Sequence, residues 1–147
     1  MRNIVIRFCA LTALASLLAI GFAAPVHADG YQVIANSGVG PGALAKDQVS
    51  QIFLKKLGKW PDGKPAVPVD QAKSAAVREV FSKAVLGRGA AAMVAFWQQQ
   101  IFSGADVPPV EKASEADVIA FVKSTPGAIG YVSAGADVSG CKVITVH

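Results

Sequence analysis

The stretch from Pro65 to Leu86, PAVPVDQAKSAAVREVFSKAVL, decides the fold. Ala66 to Val69 is a short run with two β-branched residues, and its internal proline, unable to donate a ladder hydrogen bond, suits a strand close to a sheet edge. Asp70 to Lys73 reads as the turn that follows. From Ser74 onward Val77, Val80, Phe81, Ala84 and Val85 recur at three- and four-residue spacing, the apolar stripe of an amphipathic helix that Gly87 ends. Strand, loop and helix in that order place Ser74 at the expected N-cap. A capping role is the commoner use of a serine there. The second use is to help dock an anion or polar ligand on the free N–H groups and positive dipole end of the helix.

Working outward, the chain alternates strands and helices. Toward the N-terminus, Tyr31 to Ala35 is an expected strand, Asn36 to Gly42 a turn-rich loop, and Lys46 to Leu54 a short helix with Val49, Ile52 and Phe53 on one face. Lys55 to Lys64 forms a loop in which Trp60 is expected to pack back on the body, while Lys55, Lys56 and Lys59 solvate an exposed turn. Toward the C-terminus, Ala90 to Phe102 carries Met93, Phe96, Trp97 and Ile101 as a core stripe, and Ser103 to Pro109 is a loop. Ser114 with Asp117 resembles a capping box opening a helix that buries Val118, Phe121 and Val122. Thr125-Pro126-Gly127 stops it, and strands Ala128 to Val132 and Cys141 to Val146 follow. The predicted order is β-α-β-α-α-α-β-β, an α/β sandwich with helices covering a mixed sheet.

Residues 1–28 read as a secretory signal peptide: Arg2 and Arg7, an apolar run from Phe8 to Phe22, and the small-residue site Val26-His27-Ala28. Removing 28 of the 147 residues leaves 119, one ordinary domain, and no second apolar run approaches the roughly 20 residues that cross a bilayer. The net charge falls from +4 to +2 because Arg2 and Arg7 leave while every acid stays, so basicity gives no case for nucleic acid. Cys141 remains as the single cysteine, excluding an internal disulfide and zinc sites built on cysteine pairs.

Chemistry-bearing constellations are sparse. His27 leaves with the leader and His147 is terminal, so a serine–histidine–acid triad has no well-placed base. The glycines of Asn36 to Gly42 match neither a Walker loop nor a full dinucleotide fingerprint. Asp62 with Asp70, and Glu111, Glu115 and Asp117, read as surface charges, and no His/Cys cluster suggests a metal. An enzyme is disfavoured and no cofactor is expected.

Several short motifs carry a resemblance: Ile52-Phe53-Leu54, Trp60-Pro61-Asp62-Gly63, Pro68-Val69-Asp70, Arg78-Glu79-Val80-Phe81, Val85-Leu86-Gly87-Arg88, Phe96-Trp97, Ile101-Phe102-Ser103-Gly104, Pro108-Pro109 and Pro126 to Val132. Together they resemble the phosphate-type substrate-binding proteins of periplasmic ABC importers, over nearly the whole chain after the leader. The resemblance implies a periplasmic-binding-protein fold of type II reduced to one lobe, residues 29–147, a mixed sheet flanked by helices. In those proteins the loop before the helix is similar to Arg-Ser-Asp-Gly-Ser-Gly-Thr and holds the anion. The serine falls on Ser74, but the arginine falls on Asp70 and the glycine and threonine on Ala75 and Ala76. A carboxylate in place of a guanidinium turns attraction for phosphate into repulsion. Arg78, one turn past Ser74, is placed either to compensate or to form a surface pair. Asn36 and Ser37 end the first strand, where open α/β sheets receive ligands. The resemblance thus implies a non-catalytic periplasmic protein binding phosphate or another small oxyanion through Ser74, Ser37, Asn36 and Arg78. An ABC permease would be its partner, and a homodimer could rebuild the cleft. The alternative is a degenerate lobe acting through protein contacts on a sensor or envelope partner.

Overall fold

The computed structural model describes residues 30–147, so the expected leader lies outside the described residues. In chain order the elements are β1 (Tyr31–Ala35), β2 (Ala43–Leu44), α1 (Lys46–Phe53), β3 (Val67–Gln71), α2 (Ala76–Phe81), α3 (Ala90–Phe102), β4 (Val110–Lys112), α4 (Glu115–Ser124), β5 (Ala128–Ser133) and β6 (Lys142–Val146). A π-helical segment, Ser82–Leu86, continues α2 to Gly87, which closes it in the left-handed region at φ 69°.

The strands form one mixed sheet in the order β2-β6-β1-β5-β3-β4. β1 is antiparallel to β5 and β6, while β3 runs parallel to β5 and β4, and β2 parallel to β6. Among the described residues, then, β1 alone points against the other five. The α/β sandwich read from the sequence is the observed architecture.

Period-two alternation distributes side chains between two layers. From β1, Tyr31, Val33 and Ala35 join Val49, Ile52, Phe53, Phe81 and Val85 of the α1 and α2 side. Ile34 instead joins Val69, Val118, Val122 and Val132 under α4. Phe81 stacks on Tyr131 with centroids 3.9 Å apart and meets Tyr31 and Phe53 edge-on at 5.4 and 4.9 Å. Gly130 lets α4 approach β5, since a Cβ there would lie 2.8–2.9 Å from methyls of Val69 and Val118. Trp60 is buried and donates its indole N–H to the Gly127 carbonyl at 2.9 Å, as its expected inward packing requires. Ser114 accepts from the Asp117 amide at 3.1 Å and caps α4, also as expected.

Three local expectations are corrected. Two short edge strands, β2 and β4, carry too few residues for a periodic signal and fall where no element was assigned. Asp70 belongs to β3, opposite Glu111 of β4, and the turn starts after Gln71. The N-cap of α2 is Ala75, without any side-chain cap, while Ser74 is exposed in the preceding turn. That turn is closed by backbone, the Ala75 amide donating to the Ala72 carbonyl at 2.9 Å.

Candidate functional site

The carboxyl ends of β3 and β4 lie together at one edge of the sheet, with the start of α2 above them. Arg78 is the centre of this region. It falls on the buried side of its helix because Ser82 and Val85, four and seven residues on, share that side. Its side chain is only 4% exposed. Nη2 pairs with Asp70 Oδ2 at 2.9 Å, and Nη1 pairs with Glu111 Oε2 at 2.7 Å and also donates to the Gln71 carbonyl. Among the described residues its Nε has no partner. Asp70 in turn accepts from the Tyr131 hydroxyl and from the Gln71 amide. Arg78 therefore makes no surface pair: it ties α2 to both parallel strands from inside.

Burial dominates the titration of Asp70 and Tyr131. It pushes the Asp70 carboxyl above its ordinary value, against the opposing pull of the Tyr131 hydroxyl and of Arg78. Burial, reinforced by the Asp70 charge, raises the Tyr131 phenol well above the usual tyrosine range. Asp70 and Glu111, expected as surface charges, are the two carboxylates that share Arg78; Asp62 does not meet Asp70 but accepts from the Gly40 and Lys64 amides.

Beside Arg78 opens a cleft of about 140 Å³ between the β3–α2 turn, α3 and the segment leading into β4. Lys73, Gln98 and Glu111 give it polar walls, and Trp97, Ile101 and Pro108 apolar ones. Ser74 adjoins Lys73 at its rim in sequence.

Asn36 and Ser37 are elsewhere. The Asn36 amide donates to the Ala128 carbonyl at 2.9 Å and Val67 pairs with Ala128, so Asn36 is level with the first residue of β3. The four residue steps along β3 from Val67, roughly 13 Å at strand rise, separate it from Gln71. Asn36 is also engaged, its side-chain amide donating to the Val122 and Lys123 carbonyls at 2.9 and 3.0 Å and its oxygen accepting from the Gly38 amide. Ser37 is exposed. One small ligand cannot touch both pairs; the structure brings Ser74 and Arg78 to one edge and leaves Asn36 and Ser37 at the other. Reversal of β1 is the physical reason, since its carboxyl end lies where the parallel strands begin.

Lys73, Trp97 and Glu111 were not singled out by the sequence as ligand groups. Glu111 reads in the sequence only as one of three acids, with Glu115 and Asp117, expected on the surface. Among the described residues no group of three or more His, Cys, Asp or Glu side chains is placed to hold a metal.

A family model described as a PBP superfamily domain matches residues 19–143. Solved structures with this fold include an ABC-type phosphate transport receptor from Vibrio cholerae, with TM-score 0.63 and 16% identity, covering 80% of this chain and 46% of that one. A Clostridium perfringens protein assigned as a phosphate ABC transporter substrate-binding protein, solved with bound phosphate, aligns with TM-score 0.62 and 20% identity over 80% of this chain and 45% of its own. PstS from Borrelia burgdorferi aligns with TM-score 0.62 and 14% identity over 81% and 47%. The chain thus spans a little under half the length of these structures. A search among curated proteins finds no match.

Proposed function

The chain belongs to the PBP superfamily, and on that premise we propose that it is a non-catalytic solute-binding lobe taking a small oxyanion at the carboxyl edge of β3 and β4. The observation that carries this reading is the cleft beside Arg78. It sits where open α/β sheets receive ligands, at the carboxyl ends of parallel strands, and it offers Lys73 and a buried guanidinium on one side. Ser74 is the nearest hydroxyl in sequence, and Asn36 and Ser37 take no part. Residues 1–28 direct export to the periplasm, residues 29–147 form the binding lobe, and an ABC permease is the class of partner that a solute carrier of this family serves.

Phosphate, bound in the Clostridium perfringens structure, is the reference ligand, but the Arg78 guanidinium already faces two carboxylates here. Each added negative charge on the solute raises the repulsion from Glu111 at the cleft wall, so singly charged oxyanions are favoured over phosphate. Calorimetric titration with small oxyanions tests the reading. We expect micromolar to millimolar binding for at least one of them, weakened about tenfold by Lys73→Ala, the loss of one charge-assisted contact. Flat heats for every oxyanion, with the protein folded by circular dichroism, would overturn it.

The second reading, a lobe acting through protein contacts, has its own observation: Ile101 and Phe102 at the end of α3, Val107 in the loop that follows and Val110 at the start of β4 are exposed, Phe102 to 90%. Scattered apolar residues are normal on a surface, but four within ten positions form a patch that a partner or a second copy could cover.

A further inference from the structure

Helix α3 is set apart from the rest of the fold by its composition and its packing. From Gly89 to Ala105 the sequence carries no charged residue, although charged residues make up 16% of the chain. The buried side chains of α3, Ala90, Met93 and Trp97, belong to neither core layer and hold the helix to the body along one side. The opposite side presents Ala91, Ala92, Ala95, Gln98, Gln99 and Phe102 to solvent, and Phe102 is 90% exposed.

Ala91, Ala95, Gln98 and Phe102 fall at i, i+4, i+7 and i+11, a single stripe along the outward face. The stripe is small at its amino end and large at its carboxyl end. An isologous contact brings each surface group close to its own image, so a charged face repels a second copy and a neutral one does not. A charged partner, by contrast, finds nothing on this face to steer it. The charge-free segment is bounded by Arg88 before it and Asp106 after it. Two copies laid antiparallel therefore bring unlike ends together, whereas two laid parallel bring like ends together.

We infer that the outward face of α3 is a homodimer interface, in which two copies of this helix pack antiparallel about a twofold axis. With the axis between Ala95 and Gln98, Phe102 of each copy lies on Ala91 of the other, and Gln98 lies beside Ala95. Large meets small at both ends of the contact. The alanines admit a separation at the short end of the roughly 8–10 Å between packed helices. This gives the patch of the protein-contact reading one occupant, and it requires no solute.

Analytical ultracentrifugation of the protein from micromolar to millimolar concentration tests the inference. A monomer–dimer equilibrium is expected, and Phe102→Ser should weaken it at least about a hundredfold, because the change enters the contact twice. Ala95→Glu and Ala95→Lys each set like charges across the axis and should be monomeric alone. Mixed in equal amounts, they should form a dimer of one copy of each, a recovery that a damaged fold cannot produce. Wild type that stays monomeric throughout overturns the inference and leaves the solute-binding reading standing, since calorimetry tests that reading separately. A dimer that survives both Phe102→Ser and Ala95→Glu, or a Glu/Lys mixture that stays monomeric with each variant folded by circular dichroism, overturns it as well.

Discussion

Arg78 carries more structural consequence than any other charged residue described here. Its guanidinium bridges a β3 carboxylate and a β4 carboxylate, and such a buried arrangement stabilises only while both partners stay in place. Asp70 is the more enclosed of the two, its side chain 15% exposed against 44% for Glu111. Because burial raises its proton affinity in the folded state, the folded protein binds that proton more tightly than the unfolded chain. Its contribution to stability is therefore greatest in acid, below the unfolded value, and is lost as pH rises through the elevated folded value. Urea unfolding of wild type and Asp70→Asn at about pH 3 and about pH 7, on either side of the ordinary aspartate range, should show the wild type gaining relative to the variant at the lower pH. A gap that instead widened with rising pH would mean that attraction to Arg78 outweighs desolvation. The sequence placed Asp70 in the turn after the strand and left Arg78 either compensating or in a surface pair; that the two meet was not legible, because the pairing joins two elements whose separation only the folded chain defines.

At the scale of elements, the long periodic segments were legible and the short ones were not. α4 announced itself through Ser114 and Asp117, and β5 through a continuous apolar run from Ala128 to Val132 that both layers bury. β4 has three residues, two of them charged, and pairs with β3 because Arg78 and the β3 backbone hold it there; no intrinsic strand preference marks it. Ser74 misled for a related reason. A serine ahead of an apolar stripe fits a cap, yet the turn closes through backbone and the helix begins two residues later. Gly127 shows the reverse, a position whose type is dictated. It sits at φ +76°, and a Cβ there would lie 2.1 Å from the Pro65 carbonyl oxygen, backbone that cannot give way cheaply. Gly127→Ala should cost about 1–3 kcal/mol in chemical denaturation, the range for enforced left-handed strain, and more if the Trp60–Gly127 hydrogen bond is lost with it. An unchanged midpoint would show that the α4–β5 turn has room to relax.

For the whole molecule, the family and the mixed α/β architecture were readable from motif order, and the grouping of the candidate residues was not. Ser74 and Arg78 lie at the carboxyl end of β3 and Asn36 and Ser37 at the opposite end, because the direction of β1 relative to its neighbours leaves no mark in a linear pattern. The chain spans a little under half the length of its structural relatives, and the exposed Phe102 follows Ile101 of the cleft wall. If a second copy closes the cleft, light scattering should report a dimer that Phe102→Ser converts to monomer and that weakens oxyanion binding in step. A wild-type monomer that binds its solute would show that one lobe suffices.

Both tryptophans of the chain are buried, but in different places. Trp60 is bonded to Gly127 in the main body, whereas Trp97 forms a wall of the cleft. The protein thereby carries an internal optical reference and an optical reporter. Solute entry should alter the emission of Trp97 and leave that of Trp60 constant, so a ligand-dependent spectrum that survives Trp60→Phe and disappears in Trp97→Phe would locate the occupied cavity without any label.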